Sequence, residues 1–385
     1  MGPFSNALRA PGLRVIAEFK RRSPSAGDLR PAGDPMELTV AFSRAGAAAV
    51  SVLVDERFGG SLADLKAART GAPDTPLLAK GFFREELQLL QLKLAGADAA
   101  LLLLRDLDDD RVRELMAYAT ELRLETLVEA HDSHELERAV ALDAPVIGVN
   151  ARDLSTFRID RRAQLELVAG APRDRVVVAE SAIESRAQAA AAELAGADAV
   201  LVGSTLMRAK DPAAKLRELR SRPLVKVCGL TREEDLEVAV EAGADLVGFI
   251  LAKESPRRAP RVLDVPDTML SVAVFVEEVT ETGADLTQWY ARENGHRARD
   301  GVLFRAEERV ATVIDLPWLQ GDPTHLERAR AAEGRVMLAG GLAADNVRAA
   351  IDAVQPWAVD ASSRLEVEPG VKDHDAVRAF VEAAR

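Results

Sequence analysis

The sequence is short of cysteine, of aromatic rings and of long apolar runs, and each shortage excludes a class of protein. Its one cysteine, Cys228, has no partner for an internal disulfide, so a disulfide-stapled secreted fold is excluded and a reducing compartment is expected. No apolar run approaches the ~18 residues of a membrane span, and residues 1–12 hold no long apolar region. Neither a membrane partner nor a signal peptide is expected, and the expected location is cytoplasmic. The five histidines are scattered and no CxxC or HExxH occurs, so no metal site is expected. Aromatics make up 4% against 48% hydrophobic residues, a balance that suits alternating helices and buried strands better than a sandwich. Positive charge is outnumbered, 50 Lys and Arg against 62 Asp and Glu. The net charge of −12 argues against a nucleic-acid partner, while a local basic cluster can still hold an anionic small molecule.

What is present is a repeated design. A length of 385 residues suggests two or more domains. AGAAAVSVLV (45–54), AGADAALLLL (95–104), AGADAVLVGS (195–204) and AGADLVGFIL (242–251) each place a helix-ending glycine before a β-type apolar run. Gly46, Gly96 and Gly196 are 50 and 100 residues apart, which fits two and four strand–helix units of about 25 residues. Eight strands are expected in the first half, at 14–19, 48–53, 76–80, 98–104, 124–129, 145–150, 175–180 and 198–203. Eight more are expected at 224–228, 245–251, 270–276, 286–290, 301–304, 310–315, 335–339 and 357–361. The expected fold class is therefore α/β, two tandem (β/α)8 barrels, with domains at 1–221 and 222–385. The second has only about 164 residues against the usual ~250 of this fold, so short or missing helices are expected between 277 and 309. Both rings are expected to be parallel, because the strands are apolar almost throughout. An open doubly wound sheet is the alternative, but no GxGxxG follows the first strand.

In such a barrel function gathers at the C-terminal strand ends. In the first half these are Glu18 with Lys20, Lys80, Glu129, Asn150 with Arg152, Glu180 with Ser181, and Gly203 with Ser204. Amines, carboxylates, an amide and a guanidinium in one mouth would shift one another's pKa values and equip it for proton transfer at carbon and carbonyl oxygen. Each alone is more often a solvated loop residue; their recurrence at six of eight ends favours a site. The last two ends supply small residues and free N–H groups suited to phosphate. In the second half the ends are Cys228, Asp315, Gly340 with Gly341, and Ser362 with Ser363. A thiol and a carboxyl group there form a base and acid pair, although a lone Cys is commonly just a small buried apolar residue.

Long motifs carry a resemblance. VIAEFKRRSPSAGDL, SVLVDERFGGSLADL, LVEAHDSHELERA, IGVNARDLSTF and DAVLVGSTLMRAKDP resemble indole-3-glycerol phosphate synthase. VKVCGLTREEDLEVAVEAGADLVGFIL, SPR at 255–257, VAVFV, LAGGLAADNV and DASSRLEVEPGVKD resemble phosphoribosylanthranilate isomerase. Their order is that of the bifunctional fusion of tryptophan biosynthesis. The resemblance implies that the second half isomerises N-(5-phosphoribosyl)anthranilate to carboxyphenylamino-deoxyribulose phosphate. The first half would close that product to indole-glycerol phosphate, with loss of CO2 and water. No cofactor is implied, and the implied partners are phosphorylated anthranilate-sugar substrates of a monomer. By resemblance Glu18, Lys20, Lys80 and Glu129 are the synthase's catalytic residues. Ser23, Phe82, Asn150, Arg152, Glu180, Ser181, Gly203 and Ser204 contact its substrate or phosphate. Cys228 is the isomerase's base and Asp315 its acid, with Arg257, Gly340, Gly341, Ser362 and Ser363 around its substrate.

The chain departs from the family patterns at several places. The synthase family carries a longer segment before its first strand, including a helix over the mouth, whereas 13 residues precede Arg14. Lys-Asp-Phe reads Lys80-Gly81-Phe82, Glu-Ser-Gly reads Glu180-Ser181-Ala182, and Gln-Leu-His-Gly reads Gln288-Trp289-Tyr290-Ala291. Two alternatives therefore stand beside the bifunctional enzyme: one active barrel with one decayed, or a phospho-ligand scaffold without turnover.

Overall fold

The computed structural model describes residues 2–24, 26–152, 159–316 and 322–385. Ser25, the end of the IGVNARDLSTF motif and residues 317–321 lie outside the described residues. The chain forms two compact units: Met1–Glu184 with Ala189–Arg220, and Ser185–Gln188 with Ser221–Arg385.

In the first unit eight strands close a barrel: β1 (Arg14–Phe19), β2 (Ala49–Leu53), β3 (Leu77–Lys80), β4 (Ala99–Leu103), β5 (Glu125–Ala130), β6 (Val146–Asn150), β7 (Val176–Glu180) and β8 (Ala199–Val202). Each pairs in parallel with its neighbours in chain order, and β8 returns to β1. All strands therefore end at one rim. Side chains two residues apart share a side of the sheet, so Leu78 points the same way as Lys80 and Leu127 the same way as Glu129.

Helices fill the crossovers. Asp34, Asp108, Asp132 and Asp160 each accept a backbone N–H from the first turn of the helix they precede, which satisfies donors that a helix start leaves open. At the helix ends Gly46, Gly96 and Gly196 take φ of +86°, +101° and +107°, the region glycine enters without penalty. The short helix Pro3–Leu8 aims its first N–H groups at the Glu125 carboxylate, with Gly2 N and Phe4 N at 3.0 and 2.8 Å. Phe4 and Leu8 join the core.

The AGAD echo has a second purpose. Asp98 accepts the N–H of Leu77 at 2.9 Å, and Asp198 that of Val177 at 2.8 Å. In the second unit Asp245 accepts from Val225 at 2.8 Å. Each aspartate thus meets a donor at the start of a neighbouring strand, where the ladder has run out.

The second unit closes a barrel from β9 (Leu224–Cys228), β10 (Leu246–Ile250), β11 (Leu270–Val276), β12 (Leu286–Tyr290), β13 (Gly301–Arg305), β14 (Glu308–Ile314), β15 (Val336–Leu338) and β16 (Ala358–Ala361). Here the expectation of a parallel ring fails. Strand β13 runs antiparallel to both β12 and β14. Only Ala306 and Glu307 separate β13 from β14, and a parallel return needs a crossover of a dozen or more residues. The expected loss of helices is found: among the described residues four remain, Glu233–Ala242, His325–Ala331, Val347–Val354 and His374–Ala384. Between β12 and β13 the chain forms a small hairpin, Arg292–Glu293 against His296–Arg297. Its turn, Asn294-Gly295, has positive φ at both positions, the geometry that Asn-Gly supports. No helix among the described residues is long and apolar enough to cross a membrane.

Asp98→Ala removes the acceptor of a buried backbone donor and is expected to cost the first unit about 1–3 kcal/mol. Asp98→Asn keeps an acceptor and should cost less. Equal urea-unfolding losses for the two variants would contradict this strand-capping account.

Candidate active sites

At the first rim the parallel strands deliver Glu18 from β1, Lys80 from β3, Glu129 from β5, Asn150 from β6 and Glu180 from β7. Lys80 Nζ donates to Glu180 Oε2, lies 3.2 Å from Glu129 Oε2 and is 4.0 Å from Glu18 Oε2. Glu18 Oε1 accepts from Lys20 Nζ at 2.6 Å. Asn150 donates to Glu129 Oε1 at 3.0 Å and accepts from Ser181 Oγ at 2.8 Å and from Arg152 N at 3.0 Å.

Burial decides the electrostatics. Glu129 and Glu180 are 2% and 1% exposed. Burial alone would pull the Lys80 ammonium down, but Glu180, Glu129 and Glu18 outweigh it and hold the amine above its ordinary value. Burial pushes Glu129 up, yet Lys80 and His131 reverse that and its carboxyl ends below the usual range. Burial also raises Glu180, where Lys80 opposes and Glu129 adds, leaving it at about 8. Two carboxyl groups facing one ammonium are thereby driven apart, one charged and one able to keep its proton at neutral pH.

All twelve residues named for this half line one cavity of about 200 Å³: Glu18, Lys20, Ser23, Lys80, Phe82, Glu129, Asn150, Arg152, Glu180, Ser181, Gly203 and Ser204. Leu53, Phe58 and Phe82 give it an apolar side, and the guanidinium of Arg57 lies 3.7 Å from the Phe82 ring centroid. Glycines make room for the charged groups. A methyl at Gly148 would overlap Glu180 Oε1 and lie 2.7 Å from Leu127 Cδ2. One at Gly203 would overlap Glu18 Oε1 and lie 2.8 Å from Lys20 Nζ. Ala182 stands at φ +55°, a left-handed conformation in which a side chain is strained. A wider groove of about 850 Å³ runs outside the barrel along the helices Ser133–Ala141 and Arg161–Gly170. Its lining includes Asp132, Glu137 and Glu166, and His131 connects it to Glu129 at the rim.

In the second unit Cys228 ends β9 and is 4% exposed. Its sulfur is 3.4 Å from Lys226 Nζ, which also donates to Gln288 Oε1 at 2.6 Å and Asp360 Oδ2 at 2.9 Å. Gln288 donates to Tyr290 OH at 2.7 Å, and Tyr290 donates to Asp315 Oδ2 at 3.0 Å. An unbroken series of hydrogen bonds therefore joins Cys228 to Asp315. Burial pushes the thiol up, with Lys226 pulling against it. Burial also raises the Tyr290 phenol, which stays neutral. Gly248 leaves the space: a methyl there would lie 2.5 Å from Cys228 Sγ.

Asp315 Oδ2 also accepts from Arg297 Nη1 at 3.0 Å. The hairpin carries this arginine in, and its guanidinium sits 4.2 Å from the Tyr290 ring centroid. Gly340, at φ +90°, abuts the same carboxylate, and Gly341 follows at φ +66°. Arg257 Nε donates to Glu366 Oε2 at 2.7 Å. A methyl at Gly229 would lie 2.8 Å from Ser362 Oγ and 3.4 Å from Arg257 Cδ, so these groups share a corner. Ser362 Oγ is buried without a hydrogen-bond partner among the described residues. Ser363 opens a short 3-10 turn whose Arg364 reaches the Gly341 carbonyl at 3.3 Å.

Several residues of these mouths were not singled out from sequence: His131 and Arg208 in the first, and Lys226, Asp360, Glu366, Arg297 and, as a contributor, Tyr290 in the second. Arg208 lines the first cavity; the Arg152 guanidinium is pulled down first by burial and then by the charge of Arg208. His131 follows Glu129 by two residues, just past the end of β5, and its Nε2 lies 3.1 Å from Glu129 Oε1.

Comparison with known proteins gives two family matches. Residues 2–219 match the model described as "Indole-3-glycerol phosphate synthase", and residues 322–383 the one described as "N-(5'phosphoribosyl)anthranilate (PRA) isomerase". The indole-3-glycerol phosphate synthase of a Nocardioides species is 50% identical over 213 residues, 55% of this chain and 82% of that protein. The multifunctional tryptophan biosynthesis protein of Phycomyces blakesleeanus is 31% identical across 99% of this chain, which spans 64% of that protein. A crystal structure of phosphoribosyl anthranilate isomerase from Thermotoga maritima is 26% identical, covering 42% of this chain and 98% of that one, with a TM-score of 0.34.

Gly148→Ala is expected to destabilise the first unit by about 1–3 kcal/mol through overpacking at Glu180. Gly170, where an added methyl meets nothing within 4 Å, is the control. Gly170→Ala should stay within about 0.5 kcal/mol of the parent, and a Gly148→Ala protein equally stable in urea would contradict the packing argument.

Proposed function

The chain belongs to the indole-3-glycerol phosphate synthase family, and we propose from that premise that its two mouths perform successive steps of tryptophan biosynthesis. Residues 1–221 would be the synthase and residues 222–385 the isomerase. The observation that carries the reading is the Lys80 ammonium, buried and charged between Glu18, Glu129 and Glu180 in a cavity with one apolar side.

The synthase substrate, carboxyphenylamino-deoxyribulose phosphate, offers a ketone, an aromatic ring, a carboxylate and a phosphate. Phe58 and Phe82 suit the ring; Arg152, Ser181, Gly203 and Ser204 suit the anions. Ring closure forms a bond from the aromatic carbon bearing the carboxylate to the ketone carbon. A proton then passes from an ammonium to the ketone oxygen. CO2 departs and leaves its electron pair to the ring. The new hydroxyl leaves as water with a second proton, and a carboxylate takes up the proton released from carbon. Lys80 supplies the first proton in this reading, Glu129 is the acceptor, and Lys20 with Glu18 and Glu180 serve the dehydration.

In the isomerase, the acid position is Asp315 and the base Cys228. A proton given to the furanose ring oxygen opens the sugar, and a proton removed from C2 by Cys228 gives the enolamine that becomes the ketone. Burial raises the Cys228 thiol, and Lys226 beside the sulfur is the group that opposes this and favours the thiolate. A specific observation favours a second reading for this half. Arg297 and Tyr290 both engage Asp315, and Tyr290 occupies the place of the family's histidine. An isomerase with low turnover beside a fully active synthase would follow. The implied partners are small phosphorylated substrates, and the implied setting is a cytoplasmic monomer without nucleic-acid partners.

The test is conversion of phosphoribosylanthranilate by the purified chain, with the Amadori intermediate and indole-glycerol phosphate quantified separately. Lys80→Ala should accumulate the intermediate, its synthase turnover reduced about 10²–10⁴-fold. Cys228→Ser should block formation of the intermediate yet still close it when it is supplied. Unchanged synthase turnover in Lys80→Ala would remove that lysine from the mechanism, and loss of both steps in Cys228→Ser would contradict separate sites.

A further inference from the structure

We propose that His131 is a positioning residue of the synthase, an imidazole clamped between two carboxylates that holds Glu129 as a charged proton acceptor. The proposal rests on the synthase reading of the first barrel. Its ground is geometric. Nδ1 of His131 lies 2.9 Å from Glu135 Oε2, and the same oxygen accepts the backbone N–H of His131 at 2.9 Å. Glu135 is itself fixed, because its own N–H donates to the Asp132 carboxylate at 2.8 Å. The other ring nitrogen, Nε2, faces Glu129 Oε1 across 3.1 Å.

Two carboxylate oxygens thus face two ring nitrogens. A neutral imidazole carries one N–H, so one of these contacts would set a lone pair against an anion. The imidazolium has a proton for each. Nε2 is buried and makes no aligned hydrogen bond in the structure, so the nitrogen facing Glu129 is a polar group still lacking a partner. Glu129 Oε1, at 3.1 Å, is within reach of it, so orientation and not distance is what the contact lacks. Burial pulls the imidazole down, but Glu129 and Glu135 outweigh it and raise it to about 9.

Glu129 then sits between two cations, Lys80 on Oε2 and His131 on Oε1, with the Asn150 amide as a third donor. The charged groups around the imidazole are Glu129 near the end of the preceding strand β5, Glu135 on the following helix, and Lys80 beyond Glu129. Along the outer groove lie Asp132, Glu137 and Glu166 of the two flanking helices. Nearly all of this surrounding charge is negative, which keeps the second proton in place. His131 touches no reacting atom in this account; it acts through Glu129. The raised value also fixes the sign of its linkage to stability. Its contribution is complete below the ordinary histidine value of 6.5 and is lost as pH rises through about 9.

The experiment combines a pH profile with a direct titration. Synthase kcat is measured with supplied carboxyphenylamino-deoxyribulose phosphate from pH 6 to 10, and the His131 ring is followed by NMR in the full chain. The parent should show a basic limb that coincides with the His131 midpoint. Glu135→Gln keeps an oxygen acceptor for Nδ1 but removes its charge; limb and midpoint should move together toward neutrality by about one unit, with KM within about twofold. His131→Gln should lower kcat about tenfold or more and lose the limb. A His131 midpoint near 6.5, or a basic limb that stays in place in Glu135→Gln, would overturn the proposal. A parent chain without synthase turnover would sink the synthase reading instead, and the NMR midpoint would still decide whether the clamp holds a second proton.

Discussion

An ammonium group held out of water by three carboxylates from three strands is the interaction on which the first barrel's mouth depends. Lys80, Glu18, Glu129 and Glu180 are each under a tenth exposed. Isolated, any one of them would lose its charge on burial. Together they set one another's states: the ammonium is raised, Glu129 is lowered, and Glu180 is left where it can hold a proton. Such a cluster is costly to bury and stabilises little; its value lies in chemistry, because acid and base forms coexist at one pH.

The fold makes this cluster feasible in two ways. A fully parallel ring sends every strand end to the same rim, so four ionisable groups far apart in sequence meet without any loop having to carry them. Glycines then leave the volume that the long side chains occupy, Gly148 for Glu180 and Gly203 for Glu18 and Lys20. The second barrel keeps the principle with a different construction. One reversed strand and a two-residue Asn-Gly turn replace helices, and the hairpin places Arg297 beside Asp315. Cys228 and Asp315 remain connected, through Lys226, Gln288 and Tyr290, across the barrel interior.

Much of this was legible in the sequence. An apolar run that ends in Glu, Lys or Asn marks a buried strand opening at a rim; that signal located five strands of the first barrel, at Glu18, Lys80, Glu129, Asn150 and Glu180, and the AGAA/AGAD echo located the other three. The AGAD echo gave the period, although the role of its aspartate as acceptor for a neighbouring strand became clear only from the hydrogen bonds. Strand direction in the second barrel was not legible from apolar content, which is the same for parallel and antiparallel neighbours. The short spacing around Ala306-Glu307 and the Asn294-Gly295 dipeptide were the available signals. His131 and Arg297 were missed for a common reason. Each meets its partners through the path of the chain rather than through a motif: Glu129 and Glu135 turn toward His131 where a strand gives way to a helix, and Asp315 meets Arg297 only once the intervening strands have folded back. The comparisons assign the family over residues 2–219.

The central claim is that the carboxylates outweigh burial at Lys80. Its most direct measurement is the pH titration of the Lys80 side chain by carbon-detected NMR of selectively labelled lysine. The account predicts that Lys80 stays an ammonium past the ordinary lysine value of 10.5, later than the exposed lysines of the same chain. A Lys80 midpoint below that value, with the amine neutral while its neighbours remain charged, would contradict it.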